Sequence, residues 1–102
     1  MATKTISLIK KTPGGKTLKI DITINPDEDK IIDIVISGDF FAYPPEKLEE
    51  LEKQLQGKTL EDAMKTIDDY KKEIELVGTS LQDIKQLIEQ AISKKHIKEN
   101  RP

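Results

Sequence analysis

An α+β domain is what this sequence predicts: a three-stranded antiparallel meander followed by three helices packed on one face of the sheet. Two observations carry that prediction. Through the first part of the chain, apolar and polar residues alternate, the period of a strand with one buried face. Beyond it the apolar residues recur every three to four positions, the period of a helix with one buried stripe. Glycine and proline clusters fall where the pattern changes. With 102 residues, the expectation is a single domain over 1–102, large enough to remove about two-thirds of its unfolded surface from water.

Each element has its own signal. Ile6 and Leu8 alternate with Ser7, and Leu18, Ile20, Ile22 and Ile24 alternate with Lys19, Asp21 and Thr23. These give strands at about 5–10 and 17–25, joined by the turn Thr12-Pro13-Gly14-Gly15-Lys16. Asn25-Pro26-Asp27-Glu28-Asp29 turns the chain again into a strand at about 30–37. There Ile32, Ile34 and Ile36 are expected on one side, with Ile31, Asp33 and Val35 on the other. Pro45 suits a first helical turn, because the N–H it lacks would have no partner there. Leu48, Leu51 and Leu55 then mark a helix at about 45–56, stopped by Gly57. Thr59 reads as the cap of a second helix at about 60–76, with Leu60, Ala63, Met64, Ile67, Tyr70, Ile74 and Val77 on one stripe. Asp68-Asp69 is the point at which that helix is open to a break. Thr79 and Gln82, in capping-box spacing, open a third helix at about 80–95 carrying Leu81, Ile84, Leu87, Ile88, Ala91 and Ile92.

Composition narrows the function. The chain has no cysteine, so its own side chains offer no disulfide, thiolate metal site or cysteine nucleophile, and a cytoplasmic location is expected. Charged residues make up 35% with a net charge of −2, which gives no basis for nucleic acid as a partner. No apolar run approaches the ~18 residues of a membrane span, so no membrane is expected either.

The candidate chemistry is thin. Gly15-Lys16-Thr17 and Gly57-Lys58-Thr59 imitate the end of a phosphate-binding loop, but Lys10 and Glu52 stand where that motif needs its first glycine. Asp27-Glu28-Asp29 lacks the glycine and distal glutamate of a calcium loop. His96, the one histidine, has no neighbour in sequence to orient it as a base or metal ligand. Gly78-Thr79-Ser80 reads first as a helix cap and second as an anion site. Lys10, Lys11, Lys16 and Lys19 form a basic cluster about the first hairpin, read as a charged sheet edge or as a face toward a bound phosphate or carboxylate.

One segment stands apart. Gly38-Asp39-Phe40-Phe41, followed by Ala42-Tyr43-Pro44-Pro45, holds both phenylalanines and one of the two tyrosines between a strand and a helix. Consecutive rings on extended backbone point opposite ways, so one of them anchors the segment to the core and the other needs a cover. The alternative is that both rings pack beneath the helices.

Three stretches together resemble the C-terminal accessory domain of lipoate–protein ligases, which in archaeal-type two-component ligases is a separate small subunit. They are Pro13-Gly14-Gly15-Lys16-Thr17-Leu18-Lys19-Ile20, Ile36-Ser37-Gly38-Asp39-Phe40-Phe41 with Tyr43-Pro44, and Leu48-Glu49-Glu50-Leu51-Glu52 with Leu55-Gln56-Gly57. Val77-Gly78-Thr79-Ser80 and the last helix fit a longer form of that domain, and Met1 fits a free-standing subunit. The resemblance implies a fold similar to iron–sulfur scaffold and sulfur-acceptor proteins. It also implies a role without catalytic residues of its own: docking on a catalytic large subunit, as a heterodimer, and support for activation of lipoate to lipoyl-AMP. Lipoate, ATP and Mg then belong to the partner's active site, no cofactor is bound by this chain alone, and lipoyl acceptor domains are met indirectly. On this expectation Gly38, Asp39, Phe40, Phe41, Tyr43, Gly14 and Gly15 face the partner, and Lys16 approaches its ligand. The alternative is an independent binding or scaffold module of the same fold, working with a ligase-like partner in sulfur metabolism.

Overall fold

The computed structural model describes residues 3–11 and 16–99, with 94–99 as helix backbone alone. The elements are β1 (Lys4–Lys11), β2 (Thr17–Asn25), β3 (Lys30–Gly38), β4 (Phe41–Tyr43), α1 (Pro45–Leu55), α2 (Leu60–Asp69), β5 (Glu75–Val77) and α3 (Leu81–Glu99). β1, β2 and β3 form an antiparallel sheet in that order, and β4 and β5 pair antiparallel in a second, two-stranded sheet. The meander and the three helices match the sequence pattern, whereas the two-stranded sheet of β4 and β5 is an addition to it, since the pattern held three strands alone.

Alternation places one face of the large sheet in the core. Leu18, Ile20, Ile22 and Ile24 of β2 are fully buried, and the register sets Ile6 opposite Ile22, Leu8 opposite Ile20, and Ile20 opposite Ile36. Strand neighbours of this kind are the unit of sheet stabilisation. On the other face Thr5 and Thr23 share a hydrogen bond of 3.1 Å and Ser7 donates to Asp21, beside the exposed Ile9 and Val35. α3 lies over β1 and β2, and α1 lies over β3. α2 packs on α1 and α3, adding Ala63 and Ile67 to a core that also holds Leu51, Leu55, Ile84, Leu87 and Ile88.

The starts of α2 and α3 are capped by local side chains, whereas α1 begins on Pro44 and Pro45 without a side-chain cap. The Thr59 hydroxyl accepts from the Asp62 N–H at 3.3 Å at the start of α2. At α3 the Ser80 hydroxyl accepts from the Asp83 N–H at 3.1 Å, while the Thr79 hydroxyl donates to the Asp83 carboxylate at 3.3 Å. The cap is therefore one residue later than the Thr79–Gln82 spacing implied.

Three expectations need correction. The second helix does not reach 76: it ends at Asp69, and Tyr70 turns the chain through hydrogen bonds from the Glu73 and Ile74 N–H groups to its carbonyl. Ile74 and Leu76 face inward while Glu75 and Val77 face out, a two-residue alternation that the helical stripe had absorbed by pairing Ile74 with Val77. In β3, Ile31 is fully buried and Ile32 is 41% exposed, the reverse of the expected facing. The register shifts between Thr23 and Ile24, so that Thr23 pairs with Asp33 and Ile24 with Ile31, leaving Ile32 as the extra residue of a bulge. Finally, α3 continues past 95 to Glu99, as a run free of glycine and proline permits.

Candidate functional site

The aromatic segment is held by backbone geometry before any side chain is considered. β3 ends at Gly38, whose φ of +146° is one that side chains rarely adopt, and a Cβ there would stand 2.1 Å from the Thr17 carbonyl oxygen. That close approach brings Asp39 to the start of β2, where its N–H donates to the Thr17 carbonyl at 3.1 Å and its carboxylate accepts from the Thr17 N–H. A second glycine repeats the device. Gly78 has φ +99°, and a Cβ on it would meet Lys16 Cγ at 3.2 Å and Phe40 Cβ at 3.3 Å. The end of the first hairpin, the aromatic segment and the chain after β5 thus meet at one end of the molecule.

The two phenylalanines divide as extended backbone requires. Phe40 is half-buried and packs on the core. Phe41 is 59% exposed, with Tyr43 at 54% on the same side of β4 and Val77 at 48% opposite Phe41 on β5. The Phe41 and Tyr43 rings stack with centroids 6.4 Å apart, in the range where offset aromatic pairs attract. A cis peptide bond joins Tyr43 to Pro44 and leads into α1. Below the rings runs a groove of about 610 Å³ between β3, β4 and α1, lined by Val35, Ser37, Leu48, Glu49 and Glu52 among others.

Glu52 ties α1 to the exposed edge of β3, its carboxylate accepting from the Ile36 N–H at 2.7 Å. Burial raises its pKa above the ordinary glutamate value, the Ile36 N–H acts against this, and the like charges of Glu49 and Asp33 add to the rise. Farther along α1, the Tyr70 hydroxyl donates to Glu50 at 2.6 Å. Burial and that carboxylate push the Tyr70 pKa up to about 12, and the hydrogen bond from Tyr70 lowers that of Glu50. On the far side, Lys10 bridges β1 to α3 through Asp83 at 2.9 Å, and its hydrogen bond holds the Asp83 carboxyl below the usual range.

These groups make a scaffold and a surface. Among the described residues no cluster of acidic or histidine side chains is arranged to hold a metal ion, and no helix is long and apolar enough to cross a membrane. The Gly57-Lys58-Thr59 stretch is built into the fold by its backbone and cap: the Lys58 carbonyl accepts from the Ile31 N–H at 2.8 Å, and Thr59 caps α2. Ser80 and Thr79 bond within the start of α3.

Of the residues singled out from sequence, Lys16, Gly38, Asp39, Phe40, Phe41 and Tyr43 come together, while Gly14, Gly15 and the His96 side chain lie outside the described residues. Asp39 and Phe40 position the segment, and Phe41 and Tyr43 are its exposed rings. Lys16 is exposed and its stem lies against Gly78. Sequence reasoning missed Val35 and Val77 as neighbours of the rings. The exposed valine of the alternation Ile34-Val35-Ile36 was the available signal for the first, and Leu76-Val77 for the second.

Comparison with known proteins places this geometry. Over 51 residues the chain is 39% identical to lipoate-protein ligase A subunit 2 of Thermoplasma acidophilum, a stretch covering 50% of this chain and 54% of that relative, so the match spans about half of its length. It also superposes, with a TM-score of 0.74 and 26% identity, on a chain from a solved archaeal lipoylation system of Thermoplasma acidophilum. That system comprises a bi-partite lipoate protein ligase and its E2 lipoyl domain, and the superposition covers 85% of this chain and 97% of that one. Residues 4–88 match the family described as the bacterial lipoate protein ligase C-terminus, and the chain belongs to that family.

Proposed function

We propose that this chain is the non-catalytic small subunit of a two-part lipoate–protein ligase, acting in the cytoplasm. It docks on a catalytic subunit as a heterodimer and supports ATP-dependent activation of lipoate to lipoyl-AMP before transfer to a lysine of an acceptor domain. The observation that carries this reading is the superposition over 97% of a chain from a bi-partite ligase system. The exposed Phe41, Tyr43 and Val77 on their two-stranded sheet supply a surface for docking. Lipoate, ATP and Mg are assigned to the partner's site, with no cofactor, nucleic acid or membrane bound by this chain alone.

The physical benefit of docking is protection. A mixed anhydride such as lipoyl-AMP is destroyed by water, and closing a second subunit over the site excludes water and orders the loops around it. Lys16 stands beside the aromatic segment and is the group assigned to approach a phosphate or carboxylate of the closed site. Kinship with iron–sulfur scaffold and sulfur-acceptor proteins is inferred for architecture alone, since the chain has no cysteine.

Mixing the purified chain with the catalytic subunit tests the proposal directly. Lipoate-dependent pyrophosphate release is expected to rise on addition of the chain. Equal rates with and without it would end the proposal.

A further inference from the structure

The aromatic rings and two carboxylates share one groove. Phe41 and Tyr43 line its β4 side, Glu49 and Glu52 its α1 side, and Val35 and Leu48 also contribute to its lining. Glu49 and Asp33 act on Glu52 as like charges, and none of the ion pairs among the described residues reaches these three groups. Some carboxylates elsewhere on the surface do have lysine partners: Lys85 meets Asp68 at 2.8 Å and Lys47 meets Glu73 at 3.0 Å. A protein that covers the rings therefore also covers negative charge without a cation.

Covering a carboxylate with apolar surface alone is costly, because its hydration is lost with nothing in return. A planar cation meets both demands of this groove. Its face lies against aromatic rings while its N–H groups reach carboxylate oxygens, a combination that arginine supplies better than lysine. We infer that the groove between β4 and α1 receives a basic side chain, foremost an arginine, from the catalytic subunit, held by the Phe41 and Tyr43 rings and by Glu49 and Glu52. The inference rests on the docking reading above and adds the chemistry of the partner's contact.

Calorimetric titration of the catalytic subunit with wild-type chain, Glu49→Gln, Glu52→Gln and Phe41→Ala, at low and high salt, tests it. Gln at position 52 keeps an acceptor for the Ile36 N–H, so the β3–α1 tie survives in that variant, and circular dichroism checks the fold. Each Gln variant is expected to bind about tenfold more weakly at low salt and to lose part of the wild-type salt dependence. Glu49→Lys is expected to weaken binding further. If Phe41→Ala weakens binding while both Gln variants bind like wild type, docking stands and the basic contact is overturned. Concentration-dependent self-association of the chain alone, abolished by Phe41→Ala, would assign the groove to a second copy and overturn it too. A wild-type chain that binds no catalytic subunit fails both readings.

Discussion

The two sheets of this protein spend their apolar side chains in opposite ways. In the large sheet, Leu18, Ile20, Ile22 and Ile24 are wholly buried beneath the helices, and the outer face mixes polar residues, with Thr5 bonded to Thr23, and the exposed Ile9 and Val35. In the small sheet the outward residues are Phe41, Tyr43 and Val77, about half-exposed, together with Glu75, and the inward ones are Ala42 and Leu76. The closed interior is mostly aliphatic, and the small sheet sets two aromatic rings, Phe41 and Tyr43, on its open face. Branched aliphatics lose little on close packing, whereas a large flat ring offers much contact area for few ordered torsions, which is why rings dominate protein interfaces. On the docking proposed above, the difference separates a region that holds the fold from a region that meets a partner.

Substitutions can break that division, beginning with the largest expected effect. Ile22→Ala, at the centre of β2, is expected to cost about 3–4 kcal/mol in denaturant unfolding, within the range for buried aliphatic truncations. A cost below about 1 kcal/mol would mean that the core is looser than its burial indicates. Gly38→Ala sets a methyl group against the Thr17 carbonyl in a backbone conformation alanine resists, and should cost about 2–3 kcal/mol. Phe41→Ala sharpens the comparison most. Its stability should stay within about 0.5 kcal/mol of wild type while affinity for the catalytic subunit falls by about 2 kcal/mol, read by unfolding and calorimetry on the same sample.

The smallest expected effects concern protons. Asp83 has its pKa lowered in the folded state by Lys10, so its contribution to stability is present above the ordinary aspartate range and is lost as pH falls through the lowered value. Asp83→Asn should therefore cost about 1 kcal/mol at neutral pH, with the gap to wild type closing in acid. Glu52 behaves in reverse. Its raised pKa means the folded state holds the proton more tightly, so stability falls as pH rises from the ordinary glutamate value through the raised one. Glu52→Gln should flatten the stability profile across that window.

The large sheet and the helix starts were legible because their signals are local: a two-residue or 3.6-residue period, a proline, a capping hydroxyl. The segment from Asp68 to Val77 was not, because Ile74 fits a helical stripe and a strand alternation equally well. Only the distant partner Phe41–Tyr43 decides between them, and that pairing spans the whole of α1 and α2. The facing of Ile31 and Ile32 failed for a related reason. A bulge is a property of two strands together, and the run of isoleucines in β3 gives no sign of where its partner slips. At the aromatic segment the crowding of rings was visible in the sequence, which left open whether they part to opposite sides or both pack beneath the helices. The assignment of Phe40 inward and Phe41 outward needed the Thr17–Asp39 contact and Gly78 beside Phe40.

The pairing of β4 with β5 has a consequence for assembly. Ala42 pairs with Leu76 across the whole of α1 and α2, so the contact closes a long stretch of chain. Contacts of such sequence separation come late, since the entropy of closing the loop is spent before they form. The exposed rings are therefore presented in register only by a molecule whose helices are already docked. On the docking proposed above, an interface built on this pair would accept finished copies and refuse half-folded ones without any separate inspection.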